Sequence, residues 1–377
     1  MRRVQAAAFV LLFAALAVYA ADDVKIVVGP NYLVSHDADV PHCEMMIAAN
    51  PLDWRNLVAM SIVAARPNGG WVCRTYATHD GGGTWRYSDF AEQVEFGGGD
   101  PQVVFTPNGT AISLSLAFGS VKDETGKPRG GMAIYRSEDG GLTWKLSRDI
   151  CCSHDHPQMI VDDSMGKYAG RIYIGALWDY PVYRIGIFRS DDDGRTWTGP
   201  VEAVNGGGEL GVNVVSTAVM SDGTVVVPYV DFEYKPEKQK IHGKVNLNAW
   251  LVKSSDGGLT FSKPVKTHTL TYDIDLPESF GTPQTAIDNR SASFRDNMYM
   301  TWADVSDNRE SYNLDQHNIR QAEARLREWE DDYNYQRPHG RTVRESRRES
   351  RLRSSIGVVE YSAYSLPPSD GRRCHGG

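Results

Sequence analysis

A chain of 377 residues with 41% hydrophobic and 23% charged side chains is globular in composition, which excludes global disorder, and is too long for one ordinary compact domain. The net charge of −8 is unevenly spread: residues 21–312 carry 26 basic and 38 acidic side chains, a balance of −12, whereas residues from Asn313 onward hold 12 arginines, no lysine and 10 acidic residues. An acidic body argues against nucleic acid as its partner, and the 36 glycines and 9 tryptophans predict many turns between packed strands.

The chain opens with Arg2 and Arg3, an apolar run from Ala6 to Ala20, and small residues at Val18 and Ala20. This is the layout of a secretory signal peptide over residues 1–20, cleaved after Ala20. The run of 15 residues is short of the ~20 that a spanning helix needs. The expected product is secreted or periplasmic, and soluble once the signal is removed. Export permits disulfides, but the five cysteines show no paired spacing. The sequence allows a bridge between Cys43 and Cys73. The adjacent Cys151 and Cys152 are not expected to bridge, and no zinc-type spacing is present.

From residue 78 onward an eight-residue template occurs four times, as Thr78–Trp85, Ser137–Trp144, Ser190–Trp197 and Ser254–Phe261. It reads Ser/Thr-x-Asp-x-Gly-x-Thr-aromatic, with Asp80, Asp139, Asp192 and Asp256 separated by 59, 53 and 64 residues. A short alternating strand precedes each copy, for example Met132–Arg136. The physical logic is a hairpin turn. Aspartate accepts backbone N–H groups, glycine takes the positive φ, and Trp85, Trp144, Trp197 or Phe261 packs between neighbouring sheets.

A second pattern keeps the same rhythm: Asp100-Pro101-Gln102, His156-Pro157-Gln158 and Thr282-Pro283-Gln284, with a looser version at Cys43-Glu44-Met45. Each leads into a further strand. Four-stranded units at this spacing predict an all-β propeller with units at about 44–95, 100–150, 156–205 and 212–266 and a fifth beginning at Pro283. The fifth shows two strands, ending near Ala303, so about four and a half blades are expected. Val24–Val28 is a candidate closing strand.

These motifs resemble the Asp-box, or BNR-repeat, proteins of the sialidase-like superfamily over roughly residues 24–305. The resemblance implies a sialidase-like β-propeller, a carbohydrate ligand, no cofactor, and a structural role for the boxes on the outer rim. It also implies, for an active sialidase, an arginine triad, a Tyr–Glu nucleophile pair and an Asp acid/base. The first arginine of that triad belongs to an Arg-Ile-Pro motif, which occurs nowhere in this chain. Its place holds Cys43-Glu44-Met45, and a carboxylate cannot replace a guanidinium clamp. Sialidase activity is therefore not expected.

After residue 305 the pattern changes. Ile319, Ala322, Leu326, Trp329 and Tyr333 follow helical spacing, and Asp315–Tyr335 is predicted as an amphipathic helix ended before Pro338. Leu326–Gly340, with Trp329, Tyr333-Asn334 and Arg337-Pro338-His339, resembles the closing segment of the integrase-type core of insertion-sequence transposases. That family's acidic triad lies upstream, where this chain is propeller, so no metal site carries over. The expected organisation is a signal peptide at 1–20, an incomplete propeller at 21–305, a transposase-like helical fragment at 306–345 and a disordered tail at 346–377.

In a propeller the residues before each inner strand converge on one mouth of the central channel. Those positions hold Glu44, Asp100, Asp155, His156 and, in the fourth unit, Glu209. Clustered carboxylates repel one another, which suits acid/base work or simply caps the strand starts. His154 and His156 alternate onto one face as a candidate metal pair. The expected function is an exported glycan-processing or glycan-binding propeller, a monomer. A non-catalytic scaffold, and a DNA-integrating role resting on the tail, are the alternatives.

Overall fold

The computed structural model describes residues 32–35, 40–65, 70–152, 154–178, 182–207, 210–233, 244–273 and 283–302. Two compact units are distinguished, Met1–Leu33 and Val34–Gly377, and all the strands belong to the second. Val24–Val28, Glu209, Cys374 and the helix expected at Asp315–Tyr335 lie outside the described residues.

The first sheet runs β1 (His42–Asn50), β2 (Asp53–Val63), β3 (Val72–Thr78) and β4 (Arg86–Asp89) in that spatial order. A single-turn helix α1 (Ala91–Phe96) leads to the second sheet, β5 (Gly98–Phe105), β6 (Ala111–Lys122), β7 (Pro128–Ser137) and β8 (Lys145–Cys151). The third is β9 (Asp155–Val161), β10 (Ile172–Trp178), β11 (Arg184–Ser190) and β12 (Thr198–Asn205). In the fourth, β13 (Leu210–Val214) and the short β14 (Ala218–Val219) both pair with β15 (Val225–Glu233), followed by β16 (Lys244–Ser254) and β17 (Val265–Asp273). The fifth unit is the two-stranded β18 (Gln284–Ile287) and β19 (Met298–Thr301). All pairings are antiparallel, as hairpin-linked meanders require.

Sequence explains the order of strands within each sheet. Middle strands are covered on both faces, so β3 and β10 are buried almost throughout, whereas the outer β4 (Arg-Tyr-Ser-Asp) and β8 carry polar, exposed residues. Polar outer strands also discourage edge pairing with other chains.

The core lies in the seams between successive sheets. Val58, Met60 and Ile62 of the first sheet meet Val103, Phe105 and Tyr135 of the second. Ile112, Leu114 and Met132 meet Met159, Ile174 and Phe188 of the third. Leu177, Ile185 and Val204 meet Val212, Val227 and Tyr229 of the fourth. The fourth seam, with Val230 and Leu270 against Met300 and Trp302, is smaller. Inner strands β1, β5, β9 and β13 contact one another in chain order. This is the radial stacking of a propeller, as the repeat predicts.

The boxes behave as one device. In the first, Asp80 accepts the Thr84 amide at 2.9 Å and its hydroxyl at 2.8 Å, while Thr78 Oγ1 donates to Asp80 and accepts the Gly82 amide. Asp139, Asp192 and Asp256 repeat this with Thr143, Thr196 and Thr260. These bonds hold Asp80 and Asp256 well below the usual carboxylate range. Glycine is needed sterically as well as conformationally: Gly141, at φ 94°, would place a Cβ 2.4 Å from Val58 of the preceding sheet. All four aromatics are half-buried at equivalent places. Trp144, Trp197 and Phe261 each pack into the seam with the preceding sheet.

Two cysteine expectations fail. Cys43 and Cys73 remain thiols. They pair with opposite sides of Ile62, so two strand spacings, about 10 Å, part them, beyond disulfide reach. The adjacent Cys151 and Cys152 are instead joined to each other.

Candidate functional site

The inner strands of the first three sheets begin alike. Each departs from regular register near its start, between Cys43 and Met46, between Gly99 and Gln102, and opposite Gly175–Leu177. At the irregularity sit Glu44 (φ 51°), Asp100 (φ 48°) and His156 (φ 46°), all in the left-handed region. A side chain there costs roughly 1 kcal/mol or more relative to ordinary backbone. Such a bulge re-aims its residue, and the same aim is repeated in three successive sheets.

Their side chains meet. The His156 amide lies 3.0 Å from both Asp100 Oδ2 and Asp155 Oδ1, and His156 Nδ1 is 3.9 Å from Asp100 Oδ2. Ligand-type atoms of Asp100, Asp155 and His156 all lie within 4.8 Å of one another. Glu44 of the first sheet lies close enough to Asp100 and His156 for their charges to act on it. Carboxyls gathered in this way repel one another, which favours a proton or a cation among them.

Glu44 is exposed as a residue, while its carboxyl loses part of its hydration to neighbouring protein atoms. Burial first, and the Asp100 charge second, push it up to about 7, with His156 partly offsetting them. Burial likewise pushes Asp155 up to about 6, against a lowering by His156 and a smaller raising by Asp100. Below the cluster, burial and then the Asp100 and Glu44 charges push the fully buried Cys73 thiol well up. Two amide side chains brace the floor: Gln93 Oε1 accepts the Cys73 amide at 2.8 Å and Gln102 Oε1 accepts the Met159 amide at 3.3 Å.

Four of the five sequence-selected residues are therefore brought together, and Glu209 lies outside the described residues. The His154–His156 pairing fails. His154 is 9% exposed, its Nε2 is 3.2 Å from the Cys151 carbonyl oxygen, and its ring packs edge-on against Phe188. Cys73 escaped the reading because nothing in its strand marks it as the floor of a site.

A cleft of about 710 Å³ lies where the inner strands end, lined by Pro51, Pro107, Asp163, Asp191 and Arg290 among others. Three of its four carboxylates meet arginines, while the fully buried Asp162 keeps one carboxylate oxygen without a hydrogen-bond partner. Asp163 meets Arg290 at 2.6 Å, Asp191 meets Arg171 at 2.5 Å, and Asp193 meets Arg136 at 3.1 Å.

No family model matches this chain, and no curated protein sequence matches it. Solved structures do. The α-L-arabinofuranosidase of Fusarium graminearum is 13% identical, with a TM-score of 0.50 over 70% of this chain and 75% of that one. The leech intramolecular trans-sialidase is 13% identical, with a TM-score of 0.47 over 66% of this chain and 54% of that enzyme. The NanB sialidase of Streptococcus pneumoniae is 11% identical, with a TM-score of 0.44 over 69% and 56%. The chain thus spans little more than half the length of these two sialidases. Nearly all-β sheets of four antiparallel strands, seamed in chain order, give this chain the sialidase-like β-propeller fold found in glycoside hydrolases.

Proposed function

We propose that this is an exported, carbohydrate-directed protein that engages a glycan at the mouth formed by Glu44, Asp100, Asp155 and His156. One observation carries the reading: Asp100, Asp155 and His156 of two successive sheets converge there beside Glu44 of the first, whose carboxyl is pushed up to about 7. A protonated carboxyl beside ionised ones offers a donor and acceptors to sugar hydroxyls, and it is the state a general acid needs for a glycosidic oxygen. The fold's occurrence in an arabinofuranosidase and in sialidases supports a glycan ligand.

Binding is proposed rather than turnover, because the Arg-Ile-Pro arginine that the sialidase resemblance calls for is absent. The test is a glycan array, followed by calorimetry with the best ligand, on wild type and Glu44→Gln. Loss of binding in the variant supports the assignment. Binding unchanged by Glu44→Gln and Asp100→Asn together would sink it.

Export rests on the signal-like residues 1–20. No helix among the described residues is long and apolar enough to cross a membrane. The segment Leu326–Gly340 supports a propeller gene interrupted by a mobile element. On that reading, removing everything after Asp304 leaves the melting temperature almost unchanged. A large drop would make the tail part of the fold.

A further inference from the structure

The second sheet is seamed to the first on one side and to the third on the other, so exposure on it is not that of an end face. Yet Phe118 of β6 is 55% exposed. Gly99 makes room for its ring: a Cβ added there would stand 3.0 Å from the tip of the Phe118 ring and 3.9 Å from Ile62 of the first sheet. Ile62 pairs with Cys43, the residue before Glu44, and Gly99 is the residue before Asp100. The Phe118 amide donates to the Gly97 carbonyl at 3.2 Å, which ties this part of β6 to the start of the inner strand. An aromatic ring thus borders the mouth, one residue from the positions that carry Glu44 and Asp100.

Charge at this mouth is one-sided. Among the described residues no arginine or lysine pairs with Glu44, Asp100 or Asp155, and the basic group beside them is His156. Arginines of neighbouring strands are committed elsewhere, Arg74 to Asp89 at 2.7 Å and Arg184 to Glu202 at 2.6 Å. Asp100 and Asp155 each give one oxygen to the His156 amide, which leaves each a second oxygen to accept from a ligand. An anionic sugar is repelled by such a set. A metal ion answers the charge but makes no use of the ring. A sugar bearing an ammonium answers both: its charge meets the carboxyls in charge-assisted hydrogen bonds, and the C–H face of its ring covers Phe118.

We propose that the ligand of this mouth is a glycan of amino sugars with an unsubstituted amine, whose ammonium sits among Glu44, Asp100 and Asp155 and whose ring lies on Phe118. The assignment rests on the proposed engagement of a glycan at that mouth and adds the chemistry that selects among glycans. Phe118 supplies affinity for any sugar ring, and the carboxyls supply the preference for a cation.

Calorimetry on the full chain, at neutral pH and low salt, tests this with a short glucosamine oligomer, its fully N-acetylated counterpart and a uronate oligomer of the same length. The glucosamine oligomer should bind at least about tenfold tighter than the acetylated one. Its affinity should fall as salt rises, and the uronate should not bind. Asp100→Asn and Asp155→Asn together should abolish the preference for the amine. Phe118→Ala should weaken both of the first two sugars by the same factor, roughly tenfold, and leave their ratio unaltered. If a variant fails to fold, the probe and salt series on wild type decides alone. Equal affinity for the amine and its acetylated form, still lost in Glu44→Gln, overturns the amine assignment while leaving a glycan at the mouth. So does binding of the uronate, binding that needs a divalent ion and vanishes in EDTA, or a preference that survives the double variant. Absence of binding by any glycan removes both readings.

Discussion

The His156 amide of the third sheet lies 3.0 Å from Asp100 Oδ2 of the second, 56 residues away in sequence. Both residues sit in the left-handed region at the start of their inner strands, so the carboxylate accepts across the seam between two matching irregularities.

The first prediction concerns pH. Glu44 has its folded pKa raised from 4.5 to about 7, and Asp155 from 3.8 to about 6. In both cases the native state binds the proton more tightly than the unfolded chain. Stability from these groups is therefore full below their unfolded values, and falls as pH rises to about 7. Urea midpoints measured from pH 4 to pH 8 should decline over that window. Glu44→Gln should flatten the upper part of the decline; an unchanged slope would show that Glu44 titrates normally.

Asp193 takes the place of a box glycine in the third copy, at φ 64°. It ties the third sheet to the second, accepting Thr110 Oγ1 at 2.6 Å and Arg136 Nη2 at 3.1 Å, while its carbonyl accepts Arg136 Nε at 2.7 Å. Asp193→Ala leaves the largely buried Arg136 guanidinium with only the exposed Glu138, at 3.1 Å, as counter-charge and should cost about 2 kcal/mol. Thr110→Val should cost about 1 kcal/mol. Equal effects from the two in equilibrium denaturation would mean the ion pair is not the main clamp.

Turn glycines differ in what they touch. Gly141→Ala adds a clash with Val58 to a left-handed backbone and should destabilise by roughly 3 kcal/mol. Gly126, at φ 79° with nothing within 4 Å of an added Cβ, should lose only about 1 kcal/mol on the same change. Comparing the two melting transitions separates packing from backbone conformation.

Sialic acid should not be released from a fluorogenic sialoside, because the Arg-Ile-Pro arginine is absent. Turnover above a heat-killed control that vanishes in Glu44→Gln or Asp100→Asn would reverse that expectation.

The sequence alone determined the repeat, and through it the sheets. Asp80, Asp139, Asp192 and Asp256 mark the same hairpin because a carboxylate two residues after a hydroxyl, and four before a threonine, closes one local turn. That information is short-range, so it survives in linear spacing. Placing Glu44, Asp100, Asp155 and His156 at one mouth followed from the repeat as well. Their left-handed backbone and raised carboxyl pKa values did not, since both arise only when strands from successive sheets are brought side by side. The cysteines show the same division. Spacing could not reveal that Ile62 stands between Cys43 and Cys73, because strand register is set by pairing across the sheet. Nor could composition distinguish Ile47 from Val103, two aliphatic residues at equivalent places. Only the stacking of sheets decides that one is covered and the other left open, because burial belongs to the neighbour that a face meets and not to the residue itself.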